Sequence, residues 1–320
     1  MTPASARTPV ALIIPALNEE TTIGPVVVEA RTHLDPRGGE VIVVDNGSTD
    51  ATRARAEAAG ARVVAARVPG YGRACMTGVE ATDAPVLVFM DGDGSDVPAH
   101  IPALLDAIER GADLALGVRR GPGVEAGSMT LPARFGNALA GWLLALLYGR
   151  RVHDLSPLKA VRRSLLDRLA PREMTYGWTV EVIGGALRAG ARIEEVDVGY
   201  RHRAGGTSKV SGDLRAAVKA GTRILATIGR LALGRGRRGT AGALLGAVAA
   251  LVVLVGVAWW LGAVPGAGPR AYVAVWLLAW PLLLLGVALG VGCELAVRAV
   301  RHTETAASAT EAAEEHRATS

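Results

Sequence analysis

The sequence predicts an α/β fold: a doubly wound sheet, followed by an amphipathic helix and a two-helix transmembrane hairpin. Three observations predict it. Short apolar runs alternate with helical patterns over the first two thirds of the chain, and polar clusters fall where those runs end. Two long uncharged runs follow between residues 239 and 299.

Five runs read as buried strands: residues 10–14 (VALII), 41–44 (VIVV), 62–66 (RVVAA), 86–90 (VLVFM) and 114–118 (LALGV). Between them, Asp50 can cap a helix that runs through Ala59 and stops at Gly60. Asp96 and Pro98 can start another that stops at Gly111. Ligands of such sheets gather at the carboxyl ends of the strands.

Residues 213–233 place Leu214, Val218, Gly221, Leu225 and Ile228 on one helical stripe, with Arg215, Lys219 and Arg223 on another. That pattern predicts an interfacial amphipathic helix within a juxtamembrane segment, 213–238. Residues 239–268 and 271–293 carry no charge, so each is long enough to span a bilayer. Arg230, Arg235, Arg237 and Arg238 precede the first run, and Arg298 and Arg301 follow the second. The positive-inside rule then sets both termini in the cytoplasm, with residues 1–212 as the cytoplasmic domain of a multi-pass cell-membrane protein. Residues 300–320, rich in Ala, Thr and Glu, read as a disordered tail.

The chain has 320 residues, 50% hydrophobic and 20% charged, enough for a full core and unlike a disordered chain. Its net charge of +5 sits on arginines beside apolar segments, which suits a membrane surface and not a nucleic acid. Cys75 and Cys293 lie too far apart in sequence for a zinc motif or a disulfide framework. The apolar stretch before Asn18, Glu19 and Glu20 is too short for a cleaved signal peptide.

Polar clusters follow four of the strands: Pro15, Asn18 and Glu19; Asp45, Asn46, Ser48 and Asp50; residues 70–73 (GYGR); and Asp91 with Asp93. Each alone reads as a turn or a cap. Asp91-Gly92-Asp93 places two carboxylates one residue apart, a pairing that suits Mg²⁺ or Mn²⁺ and a diphosphate. It is not an EF-hand, because the twelfth position is Pro102. The loop at 70–73 sets flexible backbone beside Arg73 and suits phosphate oxygens. It matches neither a P-loop nor a GxGxxG fingerprint.

Together, VALIIPALNEE (10–20), VIVVDNGSTD (41–50) and GYGRACMTGVEATDAPVLVFMDGDGS (70–95) resemble the family 2 glycosyltransferases. HDLSPLKAVRR (153–163) and YRHRAGGTSKVSG (200–212) resemble the dolichol- or polyprenol-phosphate sugar synthase branch. The resemblance implies a GT-A nucleotide-sugar-binding, Rossmann-like sheet, with a UDP- or GDP-linked donor. Pro15, Leu17 and Glu19 then line the nucleotide pocket and Asp45 contacts the base. Asp91 and Asp93 are the metal ligands. Arg119 and Arg134 match phosphate-holding positions, and Arg203, Ser208 and Lys209 match the RxxGxSK element over a diphosphate or lipid phosphate. Asn46 stands where many relatives have Asp, Ser95 where polyprenol enzymes often have Gln, and Pro157 where relatives commonly have Gly.

These features imply an inverting transfer to a lipid phosphate. Such a phosphate, with a second pKa near ~6, needs no base, whereas a hydroxyl acceptor does. Asp154 is the candidate base for a hydroxyl; with a phosphate acceptor it instead caps a turn or orients an arginine. The competing readings are a nucleotidyltransferase on the same sheet and a non-catalytic nucleotide-sugar-binding membrane protein.

Overall fold

Strand β1 (Val10–Ala16) forms because an unbroken β-branched and aliphatic run can be buried on both faces of a sheet. Leu12 and Ile14 point to one core, while Ala11 and Ile13 point to the other. A computed structural model describes residues 10–205, 221, 223, 224 and 226–231. From β1 the chain continues through α1 (Ile23–Leu34), β2 (Glu40–Asp45), α2 (Thr52–Ala58), β3 (Arg62–Ala65), α3 (Tyr71–Glu80) and β4 (Val86–Phe89). Then come α4 (Ile101–Glu109), β5 (Leu114–Val124), α5 (Leu131–Tyr148), β6 (Lys159–Arg162), α6 (Arg163–Leu169), α7 (Trp178–Arg188) and β7 (Ile193–Tyr200).

The strands make one seven-stranded sheet in the order β3-β2-β1-β4-β6-β5-β7. Helices α1 and α4 cover one face through Ile23, Val27, Leu104 and Ile108. Helices α3 and α7 cover the other through Cys75, Val79, Trp178 and Ile183. All five expected strands are present, and β5 runs on from Val118 to Val124.

Two strands go beyond the sequence reading, and one changes the architecture. Strand β6 is antiparallel to both β4 and β5, so the sheet is mixed and not simply doubly wound. The four residues of β6 begin with Lys159 and end with Arg162, which hides them as an apolar run. Strand β7 pairs parallel with β5 at the sheet edge and carries Glu194, Glu195 and Asp197, as an edge tolerates.

Asp50 acts one residue ahead of the α2 cap: its Oδ1 accepts the Thr52 N–H at 3.0 Å. A short 3-10 turn at Pro98–His100 leads into α4, and the chain turns at Gly111 as expected.

The chain divides into two units, residues 1–228 and 229–320. In the first, Gly221, Arg223, Ile224 and residues 226–228 are helical, within the expected amphipathic segment. The hairpin at 239–299 and the tail at 300–320 lie outside the described residues. Among the described residues no helix is long and apolar enough to cross a membrane.

Candidate active site

Because β6 runs against its neighbours, its start lies at the same rim as the ends of β1, β2, β4 and β5. Asp45, Asp91 and the 153–158 loop thereby reach one edge of the sheet.

At the end of β4, three carboxylates stand close together. The Asp91 N–H donates to Asp96 Oδ2 at 3.0 Å, and the Ser95 N–H and hydroxyl both donate to Asp93 Oδ1. Arg203 bridges the cluster to β1: Nη2 meets Asp93 Oδ2 at 2.6 Å and Nη1 meets Glu19 Oε1 at 3.1 Å. Glu19 is itself fixed, its N–H donating to Thr52 Oγ1 at 2.8 Å. The Tyr71 hydroxyl lies beside the Asp91 carboxylate, and burial together with that charge raises the phenol well above its usual value.

Burial pushes the Asp91 carboxyl upward, and the charges of Asp93 and Asp96 push it further. Asp96 is also raised, mainly by burial, and its buried Oδ1 has no hydrogen-bond partner. A buried acidic cluster with an orphan oxygen is short of positive charge. Among the described residues no three-ligand His, Cys, Asp or Glu group is pre-assembled. Mg²⁺ and Mn²⁺ do not need one, since one or two carboxylates with water and phosphate complete their shells. Asp91 and Asp93 fit such an ion.

At β5, the second pole is fully paired. Arg119 donates to Asp154 through its backbone N–H (2.8 Å), Nε (2.9 Å) and Nη2 (2.6 Å). Asn137 on α5 adds a fourth bond, Nδ2 to Asp154 Oδ1 at 2.7 Å, and accepts the Leu155 N–H at 2.8 Å. The Arg119 guanidinium lies 4.9 Å from the centre of the Tyr200 ring. Burial alone would raise the Asp154 carboxyl, but the hydrogen bonds and charge of Arg119 hold it below its usual value.

The other expected residues are less tightly drawn together. Pro15 and Leu17 are half-buried where β1 ends. Asp45 closes β2 and accepts the Ser48 N–H at 2.9 Å, while Asn46 Oδ1 accepts the Gly70 N–H at 2.9 Å. Arg73 lies in the first turn of α3, its N–H donating to the Met174 carbonyl at 3.1 Å. Gly72 permits this approach, since a Cβ there would lie 2.6 Å from the Glu173 carbonyl oxygen. Arg134 is exposed on α5. Neither Arg73 nor Arg134 has an ion-pair partner among the described residues. Ser208 and Lys209 lie outside the described residues. Trp178 is fully buried and belongs to the core, whereas Tyr176 is exposed and stacks on Tyr71.

Sequence reasoning did not select Tyr71, Asp96, Asn137, Lys159 or Tyr200 for the site. Asp96 was legible as a helix start, and Tyr71 only as part of the glycine loop. Lys159 is fully buried, donates to the Pro157 carbonyl at 2.9 Å, and burial lowers it to about 8. Asn137, with Arg134 the polar exception in a mostly apolar helix, was the available signal on α5.

The family model described as Glycosyl transferase family 2 matches residues 11–169. An uncharacterized glycosyltransferase of Mycobacterium tuberculosis is 38% identical over 211 residues, covering 65% of this chain and 93% of the relative. A dolichyl-phosphate hexose transferase of Haloferax volcanii is 36% identical over 200 residues, covering 62% of this chain and 85% of its own. Among solved structures, glucosyl-3-phosphoglycerate synthase from Mycobacterium tuberculosis, in complex with Mn²⁺, UDP-glucose and phosphoglyceric acid, matches with a TM-score of 0.57. It is 30% identical over 70% of this chain and 79% of that one. The mixed sheet, the acidic rim and these relatives agree: the chain belongs to glycosyl transferase family 2 and is a glycosyltransferase.

Proposed function

We propose that this enzyme transfers a hexose, with inversion, from a UDP- or GDP-linked donor to a polyprenyl phosphate at the cell membrane. The observation that carries the reading is the state of Asp154. Its two oxygens take four hydrogen bonds from Arg119 and Asn137, and its pKa is depressed. A carboxylate so engaged is a poor proton acceptor, and a phosphate nucleophile requires none. On this reading Asp154 orients Arg119 and is not the base.

Pro15, Leu17 and Glu19 border the donor nucleotide and Asp45 meets its base. Asp91 and Asp93 hold Mg²⁺ or Mn²⁺, which when bound neutralises charge on the departing diphosphate. Arg203, tied to both Glu19 and Asp93, adds a fixed cation there, and Arg73, Ser208 and Lys209 complete the phosphate contacts. Arg119, stacked on Tyr200 and clamped by Asp154, presents its remaining N–H groups to the acceptor phosphate, with Arg134 beside it on the acceptor side. The Haloferax relative, named for dolichyl phosphate and hexose, supports this acceptor class. The uncharged runs at 239–299 support a two-span anchor with both termini in the cytoplasm.

A hydroxyl acceptor is the second reading, favoured by the solved neighbour complexed with phosphoglyceric acid. Membranes containing the enzyme, incubated with labelled UDP- and GDP-hexoses, Mn²⁺ and either polyprenyl phosphate or phosphoglyceric acid, separate the two. Label in a phosphate-linked polyprenyl lipid is expected. Label only in the water-soluble product overturns the proposal.

A further inference from the structure

Lys159 is a buried cation that the roles assigned above leave out. Among the described residues no other lysine or arginine is buried, and its exposure is 0%. It opens β6, the strand that lies between the acidic pole on β4 and the Arg119 pole on β5. Its backbone is paired with Phe89, just before Asp91, and with Leu116, just before Arg119.

Taking an ammonium out of water is costly, and an apolar side chain of similar volume in such a place is commonly neutral or stabilising. Among the described residues no ion pair offsets that cost for Lys159. Its partners are neutral: Nζ donates to the Pro157 carbonyl at 2.9 Å and to Thr179 Oγ1 at 3.4 Å, and lies 5.5 Å from the centre of the Trp178 ring. Stability does not account for a lysine here, and a side chain with no exposed surface cannot touch a substrate.

We propose that Lys159 is a positioning residue that holds the 153–158 loop in register with the donor pole through the Pro157 carbonyl.

The other ties of that loop run to β5, β7 and α5. The His153 N–H donates to Glu195 Oε1 on β7 at 2.8 Å, Arg119 and Asn137 hold Asp154, and the Leu158 carbonyl accepts the Gly117 N–H of β5 at 3.0 Å. The Lys159 tie also answers to the donor pole. Burial disfavours its ammonium, ionised Asp91 and Asp96 favour it, and Arg119 opposes it. One side chain thus senses both poles and passes its position to the loop that bears Asp154. Alignment is what this controls: a displacement needs the acceptor oxygen in line with the departing diphosphate, and a misplacement of about 1 Å can cost about 10²-fold. The inference rests on assigning β4 to the donor and β5 to the acceptor, whichever acceptor is used.

The test uses the full chain in membranes, with Lys159→Met and Lys159→Gln. Lys159→Met removes the charge and both donated bonds at similar volume. With polyprenyl phosphate or phosphoglyceric acid, whichever the parent enzyme labels, kcat should fall about 30- to 100-fold while both KM values stay within about threefold. The melting temperature should hold or rise. Lys159→Gln keeps a donor for the Pro157 carbonyl and should recover part of the lost kcat. Parent-like kcat in Lys159→Met, no recovery in Lys159→Gln, or a tenfold rise in the donor KM overturns the proposal. So does loss of the folded state in both variants, which would make Lys159 a support of the core.

Hydrogen exchange needs no acceptor, so it stays decisive if neither compound is labelled and the proposed function fails. In Lys159→Met, amides of peptides covering 153–158 should exchange about tenfold faster or more, with those covering 41–45 unchanged. Equal exchange in parent and variant at 153–158 overturns the proposal.

Discussion

At the end of β4 three carboxylates crowd together with one buried oxygen unpartnered, whereas at β5 a single buried carboxylate is wrapped by four donors. Both poles stand on one rim, yet their electrostatic states are opposite. The first, with Arg203 paired to Asp93 but Asp91 and Asp96 raised by burial and mutual repulsion, is short of positive charge, which a divalent cation would supply under the proposed function. The second is balanced in the folded chain, so its arginine has its geometry set before any ligand is present. Pairing is thus complete where position matters and incomplete where charge must be received.

The contrast breaks most readily through Asp91 or Asp93. Alanine at either should lower kcat by roughly 10³-fold at saturating Mn²⁺. For Asp91→Ala the melting temperature should hold or rise, because a repulsive neighbour has been removed, whereas Asp93→Ala also strands Arg203 and the Ser95 N–H and should lower it. Turnover equal to the parent enzyme in either variant would refute the charge-receiving role.

Asp154→Ala should do the reverse. It strands a buried guanidinium, and a loss of about 3–5 kcal/mol in denaturant unfolding is expected. The sign with pH follows from the depressed carboxyl. The unfolded group titrates near 3.8 and the folded one below it, so this stability is present above 3.8 and is lost as pH falls through the folded value. The gap between parent and variant should therefore narrow below pH 4. A gap that persists unchanged to pH 2 would break the link to this ion pair.

The smallest effect is expected at Arg203, which spans Glu19 and Asp93. Arg203→Ala should raise KM for the donor about 10- to 100-fold with little change for the acceptor. Equal changes for both substrates would remove Arg203 from the donor side.

The strands that frame the donor pole were legible because β1, β2 and β4 are unbroken apolar runs followed at once by Asp or Asn. Strands β6 and β7 were not, because their residues mix charge with apolar side chains and only the sheet explains why that is tolerated. The two poles differ in the same way. Asp91 and Asp93 announce themselves by adjacency, whereas Arg119 and Asp154 are 35 residues apart and no local pattern joins them. Asn137 pairs with Asp154 across 17 residues and gave no signal beyond being an amide in a mostly apolar helix. Arg203 bridging to Glu19 spans 184 residues, which only the fold can bring together.

The reversed strand β6 has a wider consequence. Leu116 pairs with Lys159 and β5 runs on beside β7 to Val124, so the chain leaves the sheet from one strand and re-enters on its neighbour, about 5 Å across. The stretch after Val124, including α5 and the 153–158 loop, is an excursion that begins and ends on adjacent strands. Such a segment can lengthen, shorten or change composition without moving β1, β2 or β4. Under the proposed function, which sets this segment on the acceptor side, a lineage can exchange one acceptor for another by rewriting a single cassette while the strands assigned to the activated sugar are inherited intact.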